Sequence, residues 1–145
     1  MHPLLVAGAA VVVASGVGLA WWRGEGRMTL GSMERIGPGD VGLRPDAFGE
    51  RATLLLFGSP PCPDSPPMRR LLAEVADGTP GVTRAEVDLS ARGDLAGRYA
   101  VLRTPTLFVL DAEHRLRARI PGVATRETVL HALAHTGPPG QHAHR

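Results

Sequence analysis

Cysteine, lysine and aromatic side chains are what this sequence has least of. It has one cysteine, no lysine, and aromatics at only 4% of 145 residues. One cysteine excludes an intramolecular disulfide and any zinc site made of several thiolates. It also argues against a small secreted domain stapled by disulfides. All 16 basic residues are arginines, and 14 acidic residues nearly balance them, leaving a net charge of +2. The arginines are scattered, with no basic run and no interleaving of basic with aromatic residues, so no nucleic-acid partner is expected. His131 and His135 stand four apart and could present two ligands from one helix face. No carboxylate or thiol completes that set, so they read as a solvated helix end. No metal and no cofactor are expected.

What the chain does have is one long apolar run. Pro3 to Trp22 contains no charged residue and is about long enough to span a bilayer. Trp21 and Trp22 suit the interfacial belt. A secretory signal is the rival reading, but no basic residue precedes the run, and Trp-Trp-Arg follows where a small-residue cleavage site belongs. An uncleaved membrane anchor over residues 1–22 is therefore expected. Arg23, Arg27 and Arg35 follow it and only Met1 and His2 precede it, so the positive-inside rule puts the rest of the chain in the cytoplasm. The expected organisation is an anchor at 1–22, a juxtamembrane linker at 23–39, a folded domain at 40–135 and a disordered tail at 136–145.

Within the domain the pattern alternates between strand and helix. Ala52 to Gly58 is a short apolar run bounded by turn residues, which reads as a buried strand. Met68, Leu71, Leu72, Val75 and Ala76 recur at helical spacing, and Gly78-Thr79-Pro80-Gly81 stops that helix. Val82 to Leu89 alternates as a strand does. Ser90 is expected to cap a short helix over Asp94 to Tyr99. Thr106 to Leu110 and Leu116 to Ile120 form a hairpin across Asp111 to His114, with Arg115, Arg117 and Arg119 on its solvent face. Thr125 caps a last helix to His135. A short strand near Met28–Leu30 and a short helix opening at Pro45-Asp46 are the amino-terminal expectations. The order strand, helix, strand, helix, hairpin, helix predicts an α/β layer fold with helices on both faces of a sheet.

The lone cysteine falls at a telling place. Phe57-Gly58-Ser59-Pro60-Pro61-Cys62-Pro63-Asp64-Ser65-Pro66 joins the buried strand to the helix, so Cys62 lies beyond a strand's carboxyl end and just before a helix. Backbone N–H groups there favour an anion, and a thiolate is one. The bland reading, a small buried hydrophobe, fits an apolar face better than a Pro-rich turn. Pro66 would remove an N–H and crowd the Cys62 carbonyl if the helix began at Cys62. The regular helix is therefore expected to begin at Ser65, with Ser65 as its cap, Pro66 at its first position and Cys62 in a pre-helical turn. In that geometry the thiolate gains less from helix amides, and the Asp64 charge opposes it. A weaker nucleophile follows as the expectation.

This segment resembles the active-site segment of the thioredoxin family, with Phe57 five residues before the first active-site cysteine, Cys62. A second stretch, Tyr99-Ala100-Val101-Leu102-Arg103-Thr104-Pro105-Thr106-Leu107, resembles the one leading into the family's cis-proline, which would be Pro105. The resemblance covers roughly residues 40 to 134. It implies a thioredoxin-like three-layer fold, with a central mixed sheet between helices, preceded here by the transmembrane helix. It implies a catalytic role for Cys62, with Ser65 where the family's second cysteine stands. Pro61, Pro63, Thr104 and Pro105 would shape a substrate groove, and the Thr104 backbone would pair with a bound peptide. The family's tryptophan is Pro61, and its buried aspartate is Leu56. A thiol without a resolving partner can form a mixed disulfide but needs an outside thiol for release. The expected function is monothiol exchange with protein thiols and disulfides, released by a low-molecular-weight thiol or another protein's cysteine. The alternative is a redox-inactive binding module that uses the groove beside Cys62 and Pro105.

Overall fold

A computed structural model describes residues 26–137. Strand β2 (Ala52–Gly58) is its centre, buried along its whole length. It pairs in parallel with β3 (Val82–Asp88) and antiparallel with β4 (Thr106–Asp111). β4 pairs antiparallel with β5 (Leu116–Pro121), and β5 with the two-residue β1 (Thr29–Leu30). The sheet is mixed, in the order β1-β5-β4-β2-β3. A parallel pair needs a crossover, and helix α1 (Ser65–Asp77) supplies it between β2 and β3.

Strand alternation divides the core between the two faces. Leu54 and Leu56 join Met68, Leu72 and Val75 of α1 and Val129 and Leu133 of α3 (Arg126–Ala134). Leu55 and Phe57 join Phe108, Tyr99 and Leu95, the last on α2 (Gly93–Arg98). Phe57 and Phe108 meet edge to face, with ring centres 4.8 Å apart. The layers are therefore helix, sheet, helix, as the pattern predicts.

Several local expectations shift. The short strand expected near Met28–Leu30 forms as β1 and pairs with β5, but residues 31–36, expected as linker, also lie along the sheet: Arg35 bridges Arg115, and Ile36 is fully buried. The expected helix near Pro45 is two short 3-10 turns, Pro38–Val41 and Pro45–Ala47, each opened by a proline that needs no N–H partner. Ser90 caps nothing: α2 opens after Arg92, and the Ser90 N–H instead bonds the Asp88 carboxylate at 2.8 Å. Thr125 does cap α3, its hydroxyl accepting from the Thr128 N–H at 3.2 Å.

The arginines of β5 are more than a solvent face. Arg117 bonds the buried Asp111 carboxylate at 3.2 Å, and Arg119 lies 4.4 Å over the Phe108 ring. Both cover the core with their stems while the charge finds a partner. Among the described residues no helix is long and apolar enough to cross a membrane. The expected anchor, residues 3–22, and the tail from residue 138 lie outside the described residues.

Candidate active site

Two loops meet at the carboxyl end of β2. The first leaves Gly58 and returns as α1, held by Cys62 N–H to Ser59 O at 3.0 Å and Ser65 N–H to Cys62 O at 3.3 Å. Helix α1 begins at Ser65, and Pro66 follows within its first turn. Cys62 is pre-helical, as the prolines predict. The cap residue is Asp64, one position earlier than expected, and it makes no side-chain cap bond. Ser65 is therefore freed from the cap role and turns inward.

The second loop carries Thr104 and Pro105, joined by a cis peptide. Its ends are tied by the Thr106 hydroxyl donating to Arg103 O at 2.6 Å and the Gly122 N–H donating to Pro105 O at 2.7 Å. Gly122 has φ +78°, a conformation open to glycine without strain. The loops touch where the Cys62 thiol donates to the Thr104 carbonyl at 3.3 Å. Cys62 and Thr104 are half-buried, Pro61 and Pro63 exposed, and Pro105 buried. All of the residues singled out by the sequence thus gather at one end of the sheet.

Ser65 is the unusual member. It is 1% exposed, and its hydroxyl has no hydrogen-bond partner. A buried hydroxyl without a bond is costly. Its place is beside the sulfur, close enough to favour the ionised form. Burial pushes the Cys62 thiol up. The Asp64 backbone N–H, the Thr104 side chain and the Ser65 side chain all push it down, and the Asp64 charge pushes it up again. The net direction is down. The pre-helical turn thus supplies the sulfur with an amide that the helix proper does not. The Asp64 charge acts as expected but is outweighed.

An ion pair behind the site has no counterpart in the sequence reading. Arg69 binds the Glu86 carboxylate through Nε and a terminal nitrogen at 2.7–2.9 Å. Glu86 is paired in register with Leu56, which is itself buried among Met68 and Leu72. A Cβ on Gly58 would come within 3.2 Å of Glu86 Oε1 and 3.4 Å of Ser65 Oγ. The acid behind the site thus lies on β3 and is held by an arginine. The signal was faint: an acid at an alternate strand position and an arginine on a helix both read as solvent-facing. Outside the thiol, an open depression of about 360 Å³ is lined by Ser59, Ser90 and Leu102 to Thr104. Leu102 at its edge is 94% exposed. Among the described residues no His, Cys, Asp and Glu side chains gather as a metal site.

Comparison with solved structures agrees with this geometry. A thioredoxin variant from Halobacterium salinarum NRC-1 matches with a TM-score of 0.54 at 18% identity, covering 61% of this chain and 78% of that one. Mitochondrial thioredoxin 3 from Saccharomyces cerevisiae in its oxidized form matches at 0.52 and 19%, covering 59% and 78%. Fasciola hepatica thioredoxin matches at 0.53 and 19%, covering 61% and 84%. No protein-family model matches the chain, and no curated protein sequence does. At such identities the likeness establishes the fold, which is thioredoxin-like.

Proposed function

We propose that this thioredoxin-like chain performs thiol–disulfide exchange through Cys62 alone, anchored in the cell membrane by residues 3–22 with its domain on the cytoplasmic side. The observation that carries this reading is a half-buried sulfur where two loops meet, 3.3 Å from the Thr104 carbonyl that precedes the cis-Pro105. The thiolate attacks one sulfur of a client disulfide. A Cys62–client disulfide forms, and the other client sulfur leaves as a thiolate that takes its proton from water. Leu56 offers no internal proton acceptor. Ser65 cannot resolve the intermediate. An external thiolate, from a small thiol or another protein, attacks the mixed disulfide and restores Cys62. Pro61 and Pro63 flank the sulfur, and Thr104 and Pro105 border the client's path.

The exposed Leu102 beside its depression favours a second reading, a module that holds an extended peptide without redox chemistry. Two measurements separate them. Purified protein is incubated with a client-like disulfide and run without reductant, and insulin reduction is followed with an external thiol. Exchange predicts a mixed disulfide and thiol-dependent turnover, both lost in Cys62→Ala. Peptide binding that survives Cys62→Ala with no adduct from the native chain refutes exchange and leaves the module.

A further inference from the structure

The open edge of the sheet at β3 carries an unused and self-matching set of backbone groups. Residues 81 and 89 turn toward β2: Gly81 O accepts from Ala52 N–H, and Leu89 N–H donates to Gly58 O. Alternate residues of a parallel strand turn the same way, so Thr83, Ala85 and Val87 do likewise. Val82, Arg84, Glu86 and Asp88 therefore turn outward. At one end the Val82 N–H is taken by Thr79 O at 3.2 Å. At the other, Asp88 O accepts from the N–H groups of Ala91 and Arg92. What remains without a backbone partner among the described residues is the Val82 carbonyl, both groups of Arg84, both of Glu86, and the Asp88 N–H.

The geometry points to a second copy of this chain as the occupant of that edge, paired antiparallel about a two-fold axis at Ala85. In this register Arg84 exchanges both its backbone bonds with Glu86 of the second copy. The Asp88 N–H meets the second copy's Val82 carbonyl. Every free group is used, and the two groups already taken, Val82 N–H and Asp88 O, fall opposite each other. Side chains agree. Exposed Arg84 stands across from Glu86, whose carboxylate already receives Arg69 and has further lone pairs to offer. On the other face half-buried Ala85 meets Ala85, and Thr83 meets Val87. A slip of two residues either way sets Arg84 against Arg84 or Glu86 against Glu86, which like charges oppose. A slip of one residue aligns outward groups with inward ones and forms no ladder. The arrangement is isologous and closed. It places the two Cys62 sites at opposite ends of the joined sheet, so pairing leaves both clefts open, and neither thiol resolves the other's mixed disulfide.

The test is a cross-link on the purified full-length chain carrying Cys62→Ala and Ala85→Cys. Directly opposed residues of a non-hydrogen-bonded pair lie about 4.5 Å apart at Cα, within disulfide range. Mild oxidation is expected to give a covalent dimer. Cys62→Ala with Ala112→Cys, an exposed position in the β4–β5 turn, is expected to give almost none. Adding Arg84→Glu, which sets two pairs of acids face to face, should cut the dimer yield of the Ala85→Cys chain roughly tenfold, while Arg84→Lys preserves it. Equal yields at positions 85 and 112, or indifference to Arg84→Glu, overturn the proposal. So does an Ala85→Cys chain that fails to link to itself but links in cells to a different protein, since the edge then serves a foreign strand.

Discussion

Replacing Ser65 with alanine tests the reading of the site most directly. The hydroxyl is 1% exposed and lacks a hydrogen-bond partner. An unsatisfied buried polar group costs about 1–3 kcal/mol, and part of that returns when the group is removed. Alanine also suits the first turn of a helix. Against this stands a small void where the oxygen was. Ser65→Ala is therefore expected to stabilise the domain by about 0.5–2 kcal/mol under acid conditions, a rise of several degrees in Tm. The gain depends on pH, with a definite sign. The hydroxyl beside the sulfur helps hold the folded-state thiol below its ordinary value. A depressed pKa contributes stability above the unfolded-state value of about 8.5, and that contribution is lost as pH falls through the folded-state pKa. The advantage of Ser65→Ala is thus largest at about pH 5.5 and narrows toward about pH 9. Urea denaturation at both pH values measures the first effect. The pH dependence of iodoacetamide alkylation measures the second, and its midpoint should rise in the variant. A variant less stable than the parent at about pH 5.5 by more than about 1 kcal/mol, with an unmoved alkylation midpoint, would refute the geometry assigned to Ser65.

Four further outcomes follow from the same contacts. Ser65→Cys supplies the missing resolving thiol in the slot beside Cys62, so client adducts should shorten in lifetime and insulin reduction should rise; adducts as persistent as the parent's count against the assignment. Phe108→Ala removes a fully buried ring packed on Phe57 and Tyr99. It should cost about 3–5 kcal/mol, read as a collapse of the urea midpoint. Asp111→Ala strips the acceptor from the Glu113 and Arg115 N–H groups and leaves Arg117 unpaired. A loss of about 3 kcal/mol is expected, because a half-buried charge is orphaned with them. Arg69→Ala breaks an ion pair about a third exposed on each side, and solvent screening limits its cost to about 0.5–1 kcal/mol in the same assay.

The frame of the fold was legible because it rests on short-range signals. Leu54 to Phe57 is apolar on both faces, as only a strand sandwiched between layers can be, and β2 is that strand. Met68, Leu72 and Val75 fall on one helical stripe and pack together. The amino-terminal stretch was legible only in part, because its structure comes from distant partners. Nothing in Thr29-Leu30 announces pairing with Arg119 and Ala118. Arg117 and Arg119 show the same limit: alternation placed them outside, but their partners Asp111 and Phe108 lie on another strand.

The site divides along the same line. Its membership could be read only through the resemblance of the Cys62 and Pro105 segments to the thioredoxin family, and the loops do meet at Thr104 O. Its electrostatics could not. The sequence shows the Asp64 carboxylate, which opposes a thiolate, but not the Asp64 N–H, which favours one more strongly. Every residue other than proline carries such an amide, and only the turn decides where it points. The prolines that keep Cys62 out of the helix delay its start by a turn. In doing so they set the Asp64 N–H at the sulfur and leave Ser65 in the buried slot behind it. The turn that the prolines impose therefore brings an amide to the sulfur from outside the helix.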